Sequence, residues 1–245
     1  MHDKRNRTGR GTLRTLIATM LGVAGLALTA PAGAAIRGYT ITSFDAIRVD
    51  APVTVVLKTG TGTSARAEGD QNALDRLKVD VSGRLLIVTM ERTRPGEKSG
   101  GTATLRLSTA MVNRIVLTGG GSISVDRMKG LQGQIVLGGN GDVSVAALDL
   151  DRIDLSLAGS GRVTLAGRAG IANIRVNGPG ALAAQQLIAR QASIGNEGPG
   201  SIALTADVTA RVTASGSGDV MVTGKAACTV DNKGTGRVTC GGESF

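Results

Sequence analysis

The sequence predicts an all-β fold: a parallel β-helix, in which one chain winds as a single-stranded solenoid with coils of 18–20 residues. Three observations predict it. A G-x-G step recurs, with its second glycine at Gly121, Gly141, Gly161, Gly180, Gly200, Gly218 and Gly236, at intervals of 20, 20, 19, 20, 18 and 18 residues. Apolar and polar residues alternate on both sides of each step. Glycine supplies 37 of the 245 residues while aromatics make up 1%, so any core must be aliphatic. A fixed period marks a repeat architecture, and period-two alternation marks strands with one face inward.

In chain order, a leader (residues 1–34) precedes one solenoid domain (residues 35–245). The leader opens with Lys4, Arg5, Arg7, Arg10 and Arg14 against Asp3, continues through the apolar run TLIATMLGVAGLALTA (15–30), and ends in the small residues PAGAA (31–35). Basic, apolar and small-residue segments in that order read as a secretory signal peptide, cut after Ala32 or Ala34. The apolar run is shorter than the roughly 20 residues of a membrane-spanning helix. No later stretch is long enough to span, and no lipobox-type cysteine follows, so neither a transmembrane segment nor a lipid anchor is expected.

Residues 40–102 share the alternation but lack the glycine step. They hold FDAIRVDAPVTVVLKTG (44–60) and ARAEGDQNALDRLKVDVSGRLLIVTM (65–90), and read as irregular first coils that continue the stack and close its end. A solenoid needs such a closure, because an open end exposes strand edges and core. ERTRPGEKSGGT (91–102) is charged and Gly-rich and reads as a projecting loop.

The regular coils occupy residues 103–240. With the second glycine as position zero, positions −6, −4, +2 and +4 are apolar, as in Ile135, Leu137, Val143 and Val145, or Leu155, Leu157, Val163 and Leu165. Asn196 and Asn232, both at −4, are the exceptions. These positions face inward, and +1 and +3 face outward. A third apolar cluster lies between steps, as in Leu148, Leu150 and Ile153, or Leu187 and Ile188. The turn is expected to use glycine for backbone angles that a Cβ forbids. Coils stack at about 4.8 Å, burying together what one coil leaves open. A hairpin sandwich is the alternative, but hairpins rarely repeat in phase seven times.

The +1 column reads Ser122, Asp142, Arg162, Ala181, Ser201, Asp219 and Arg237. GGNGDVSV (138–145) has a superficial likeness to a calcium-binding nonapeptide, but two aspartates alternating with arginines supply no stack of oxygen ligands. The column predicts two cross-coil ion pairs instead, Asp142 with Arg162 and Asp219 with Arg237. The +3 column (Ser124, Ser144, Thr164, Ala183, Ala203, Met221 and Thr239) is small and would make a flat outer face, either solvated or able to admit a partner or a second copy. Cys228 and Cys240 have inward parity in the last coil. They are expected to form a disulfide stapling it, with two buried thiols as the alternative.

Composition narrows function. Removing residues 1–34 takes away five positive charges and one negative, so +9 becomes +5. The remaining Lys and Arg are scattered, and the three aromatics are Tyr39, Phe44 and Phe245, a poor basis for nucleic-acid binding. The sole histidine, His2, lies in the leader, so His-based triads and zinc sites are excluded. No catalytic, cofactor-binding or metal residues are assigned. Carboxylate pairs for glycosidic chemistry could come only from Asp149, Asp151 and Asp154, or from Asp50 and Asp80, whose spacing reads more simply as solvated edge.

Phe44-x-x-Ile47-x-Val49, Glu68-Gly69-Asp70, Leu74-x-x-Leu77 and Gly83-x-Leu85-x-Ile87 resemble the autotransporter-adhesin head domain, also called the GIN domain, and the G-x-G coils are similar to its body. The resemblance covers roughly residues 40–240. It implies a right-handed parallel β-helix on an exported bacterial protein and brings no catalytic residues. No translocator barrel is expected, as the sequence stops at Phe245. The reading is therefore a non-catalytic exported protein of periplasm or cell surface, adhesin-like, whose partner is an envelope protein or glycan. The alternative is a polysaccharide-acting β-helix lyase or glycosidase. A self-assembling scaffold, with a second copy as partner, is a third reading.

Overall fold

The computed structural model describes residues 35–93 and 101–245. The leader, and residues 94–100 at the tip of the expected loop, lie outside the described residues.

The chain first forms β1 (Ala35–Tyr39), β2 (Ala46–Val49), β3 (Thr54–Thr59), β4 (Ser64–Gly69), α1 (Gln71–Arg76), β5 (Leu77–Ser82), β6 (Leu85–Met90), β7 (Ala103–Thr109), β8 (Arg114–Leu117) and β9 (Ser122–Val125). Strands β2 and β3 make one coil. They pair in parallel with β8 and β9 on one side and with β6 and β7 on the other. The earliest coil in the chain is thus inserted between two later ones. Reversals produce this order: β5 runs antiparallel to β6, β4 antiparallel to β7, and β1 antiparallel to β4. The β5–β6 reversal uses Gly83 at φ +62°, a left-handed angle that glycine adopts without steric cost. Helix α1 places buried Ala73 and Leu74 at this end of the core. Closure therefore comes from antiparallel strands and a helix rather than from a terminal coil.

The regular body follows as β10 (Met128–Leu137), β11 (Asp142–Leu157), β12 (Arg162–Val176), β13 (Ala181–Asn196) and β14 (Ser201–Ala214), then β15 (Val220–Thr223), β16 (Ala227–Asn232), β17 (Val238–Cys240) and β18 (Glu243–Ser244). Pairing from β8 and β9 through β17 is parallel. Parity gives the shape of a coil. Along β11 the buried residues are Val143, Val145, Leu148, Leu150, Ile153, Leu155 and Leu157. The inward step is two residues, except from Val145 to Leu148 and from Leu150 to Ile153. Two successive outward residues mark a corner, so each coil has three straight runs. The inward positions named above are buried throughout, except that Val230 and Asn232 of the last coil are half-buried. Leu187 of the third cluster is buried, while Ile188 is 43% exposed.

The turn glycines serve a purpose other than the expected one. None of the seven has a left-handed φ. A Cβ on Gly141 would overlap the carbonyl oxygen of Gly121, one on Gly161 that of Gly141, and one on Gly218 that of Gly200. Glycine recurs because the turns of successive coils touch backbone to backbone.

At the C-terminal end β18 folds back antiparallel onto β17. Cys228 and Cys240 form a disulfide, tying β16 to β17 with a Cα–Cα distance of 6.1 Å.

Candidate functional site

The outward columns of the first run of each coil form the candidate face. Strand register places the +3 side chains in one unbroken ladder: Ser124 on Ser144, then Thr164, Ala183, Ala203, Met221 and Thr239. Val56 and Arg106 continue it towards the N-terminal cap. At about 4.8 Å per strand this is a strip roughly 40 Å long. Side chains of one to three heavy atoms leave it nearly level, and Met221, 50% exposed, is the one long apolar projection in the regular part.

Beside it runs the +1 column, where the expected ion pairs are not formed. Asp142 Oδ1 instead accepts the backbone N–H of Arg162 at 3.1 Å, and Asp219 Oδ1 accepts that of Arg237 at 2.9 Å. The register was read correctly but the donor was not. The first N–H of the neighbouring strand takes the carboxylate, which leaves the guanidinium outside the contact. In coils without this aspartate the same N–H goes to the glycine carbonyl below, as from Ala181 to Gly161 at 3.1 Å and from Ser201 to Gly180 at 3.2 Å.

The carboxylates considered for glycosidic chemistry do not converge. Asp149 lies in the second run beside Lys129 and Arg168. Asp154 lies beyond the next corner and accepts from Asn173 at 2.7 Å. Asp50 is engaged by Arg48 at 2.8 Å and by Thr118, while Asp80 belongs to β5. Among the described residues no three His, Cys, Asp or Glu side chains are grouped as metal ligands would be. Two groups with displaced titration belong to the N-terminal end. Tyr39 is pushed up by burial. Lys78 is pushed up by its hydrogen bond with Glu91.

The alternation could not reveal what Asn196 does. Its side chain is buried, and its Nδ2 donates to Gly200 O at 2.9 Å and to Gly218 O at 3.0 Å, tying its own turn to that of the next coil. Asn232 repeats the first contact, donating to Gly236 O at 3.2 Å. The two exceptions in the apolar columns therefore staple turns. Their position four residues before the glycine was the signal.

A family profile described as "Putative auto-transporter adhesin, head GIN domain" matches residues 43–226. The chain belongs to this GIN-domain family. Solved structures agree on the fold. A crystal structure described as a "putative adhesin" from Bacteroides fragilis NCTC 9343 is 20% identical, covers 85% of this chain and 97% of its own, and superposes with a TM-score of 0.77. One described as a "putative lipid binding protein" from Parabacteroides distasonis ATCC 8503 is 19% identical, with coverages of 84% and 96% and a TM-score of 0.67. A third, a "putative adhesin" from Parabacteroides merdae ATCC 43184, is 18% identical, with coverages of 84% and 95% and a TM-score of 0.61. No curated protein matches the chain. Among the described residues of this GIN domain, no helix is long and apolar enough to cross a membrane.

Proposed function

We propose that this GIN domain is an exported, non-catalytic binding module of the cell envelope or surface, which presents the level face of its first runs to an envelope protein or glycan. The observation carrying the reading is the +3 ladder: small hydroxyl and methyl side chains held in register by continuous strand pairing. Such a face costs little side-chain entropy when covered and offers hydroxyls at Ser124, Ser144, Thr164 and Thr239. The basic, apolar and small-residue order of residues 1–35 supports export. The adhesin descriptions of the family and of its structural neighbours support a surface role.

The test is capture of envelope proteins and glycans from a membrane-and-wall extract by immobilised protein, beside the variants Ser144→Arg and Ala183→Arg. The expected result is a retained component that both variants lose while their melting temperature is unchanged. Polysaccharide retained and then shortened would overturn the reading in favour of an enzyme. Capture indifferent to both arginines would remove the face from it.

A further inference from the structure

We propose that a hollow at the corner between the first and second runs, rimmed by Arg127, Lys129 and Arg168 and lined by Met111, binds an anionic amphiphile: a phosphate or carboxylate headgroup carrying an alkyl or acyl chain. It concerns other residues than the level face and stands independently of the reading above.

Two adjoining hollows share Arg127 and Lys129. The first, about 380 Å³, is lined on its apolar side by Ala110, Met111 and Val112. The second continues to Asp149, Gly167 and Arg168. Strand register sets Lys129, Asp149 and Arg168 in one column across three coils. Lys129 Nζ lies 3.7 Å from Asp149 Oδ2, and Arg168 Nη2 lies 4.0 Å from Asp149 Oδ1. One carboxylate is thus stretched between two cations, in exposed contacts that hold weakly. Arg127 makes no side-chain ion pair or hydrogen bond among the described residues. Its neighbour Asp126 is occupied, with Oδ1 accepting from Thr59 N at 2.9 Å, Thr59 Oγ1 at 3.0 Å and Arg127 N at 2.7 Å. The lining therefore carries three cations against the single carboxylate of Asp149.

The apolar half is equally unsatisfied. Met111 is 49% exposed beside fully buried Val112. Gly60 and Gly130 both line this half, and open space lies where their side chains would project. In the second half a Cβ on Gly167 would overlap the backbone of Leu148, so glycine is required there. Guanidinium and ammonium groups bind phosphate and carboxylate oxygens by charge-assisted hydrogen bonds, and Met111 gains from being covered by hydrocarbon. An inorganic anion meets the cations and leaves the methionine wet. A neutral chain does the reverse. An amphiphile satisfies both.

The test uses dodecyl phosphate below its micelle concentration, dodecan-1-ol and inorganic phosphate as probes, titrated calorimetrically into the protein. Dodecyl phosphate is expected to bind, with the other two weaker by roughly tenfold or more. The double variant Arg127→Ala/Lys129→Ala and the variant Met111→Glu should each weaken dodecyl phosphate by about tenfold. Arg175→Ala, an exposed charge loss on another run, should leave it unchanged. Equal affinity for inorganic and dodecyl phosphate would overturn the proposal, as would equal loss in Arg175→Ala. Sedimentation with phosphatidylglycerol vesicles in the absence of any binding of monomeric dodecyl phosphate would also overturn it, since that outcome marks attraction to a membrane surface.

Discussion

Gly161 and Asn196 show how much of this fold rests on single positions. A methyl group on Gly161 has only the Gly141 carbonyl to occupy, and both backbones are held by strands on either side. Gly161→Ala is expected to cost about 3 kcal/mol, read as a lowered denaturant midpoint. Gly38 has open space around its missing side chain, and Gly38→Ala should leave the midpoint close to its starting value. Asn196→Ala removes two donors from buried turn carbonyls and is expected to cost about 2–3 kcal/mol. Asn232→Ala, in a half-buried copy of the same site, should cost about 1 kcal/mol. Equal losses at the two asparagines would show that burial is not what gives the contact its weight.

Strands differ in how they are secured. β11, β12 and β13 have a parallel neighbour on each side along all three runs. Among the described residues β16 pairs with β14 on one side and with no strand on the other, where the Cys228–Cys240 bridge to β17 and a hydrogen bond from Asn232 Nδ2 to Phe245 O at 3.4 Å hold it. The bridge therefore secures a strand that is paired along one side only. Replacing both cysteines by serine is expected to lower stability by about 2–3 kcal/mol. Hydrogen exchange should show the loss concentrated in Ala227–Cys240, with β11 and β12 little changed. A uniform rise in exchange along the body would contradict this.

The regular coils were legible because their period wrote itself into the glycines and the alternating aliphatics. Inward and outward faces followed from that phase alone. The cysteine pairing was favoured on parity and found. The N-terminal order was not legible, since alternation in FDAIRV or LLIV says which face is buried but not which strand lies alongside. The +1 column gave neighbours without giving donors, because reach is a property of side-chain length and backbone position together. The cationic corner went unread for a different reason. Met111, Arg127, Lys129 and Arg168 come from three windings and lie outside the residues adjoining each glycine step.

For the molecule as a whole, a repeat is a unit that can be removed. Deleting residues 142–161 takes out one full period and joins Gly141 to Arg162, leaving every inward column in phase. This shortened chain is expected to fold, with a melting temperature lowered by a few degrees and an unchanged far-ultraviolet β spectrum, because each coil interacts chiefly with its neighbours. Deleting residues 142–151 alone should abolish the cooperative transition, because the following strand then meets its neighbour half a winding out of step. Folding of both would mean that the phase of the coils does not specify the structure.

The insertion of β2 and β3 between later windings has a consequence in time. Thr118 donates to Asp50 across 68 residues, and no shorter stretch of chain can bring β8 to β2. A polypeptide threading through a membrane amino end first would deliver β2 and β3 long before either flank exists to receive them. That segment must wait, unpaired, while the hairpin, the helix and the following turn emerge. The cap is then a clasp that shuts only when β8 and β9 have emerged, and only after that does the regular body follow.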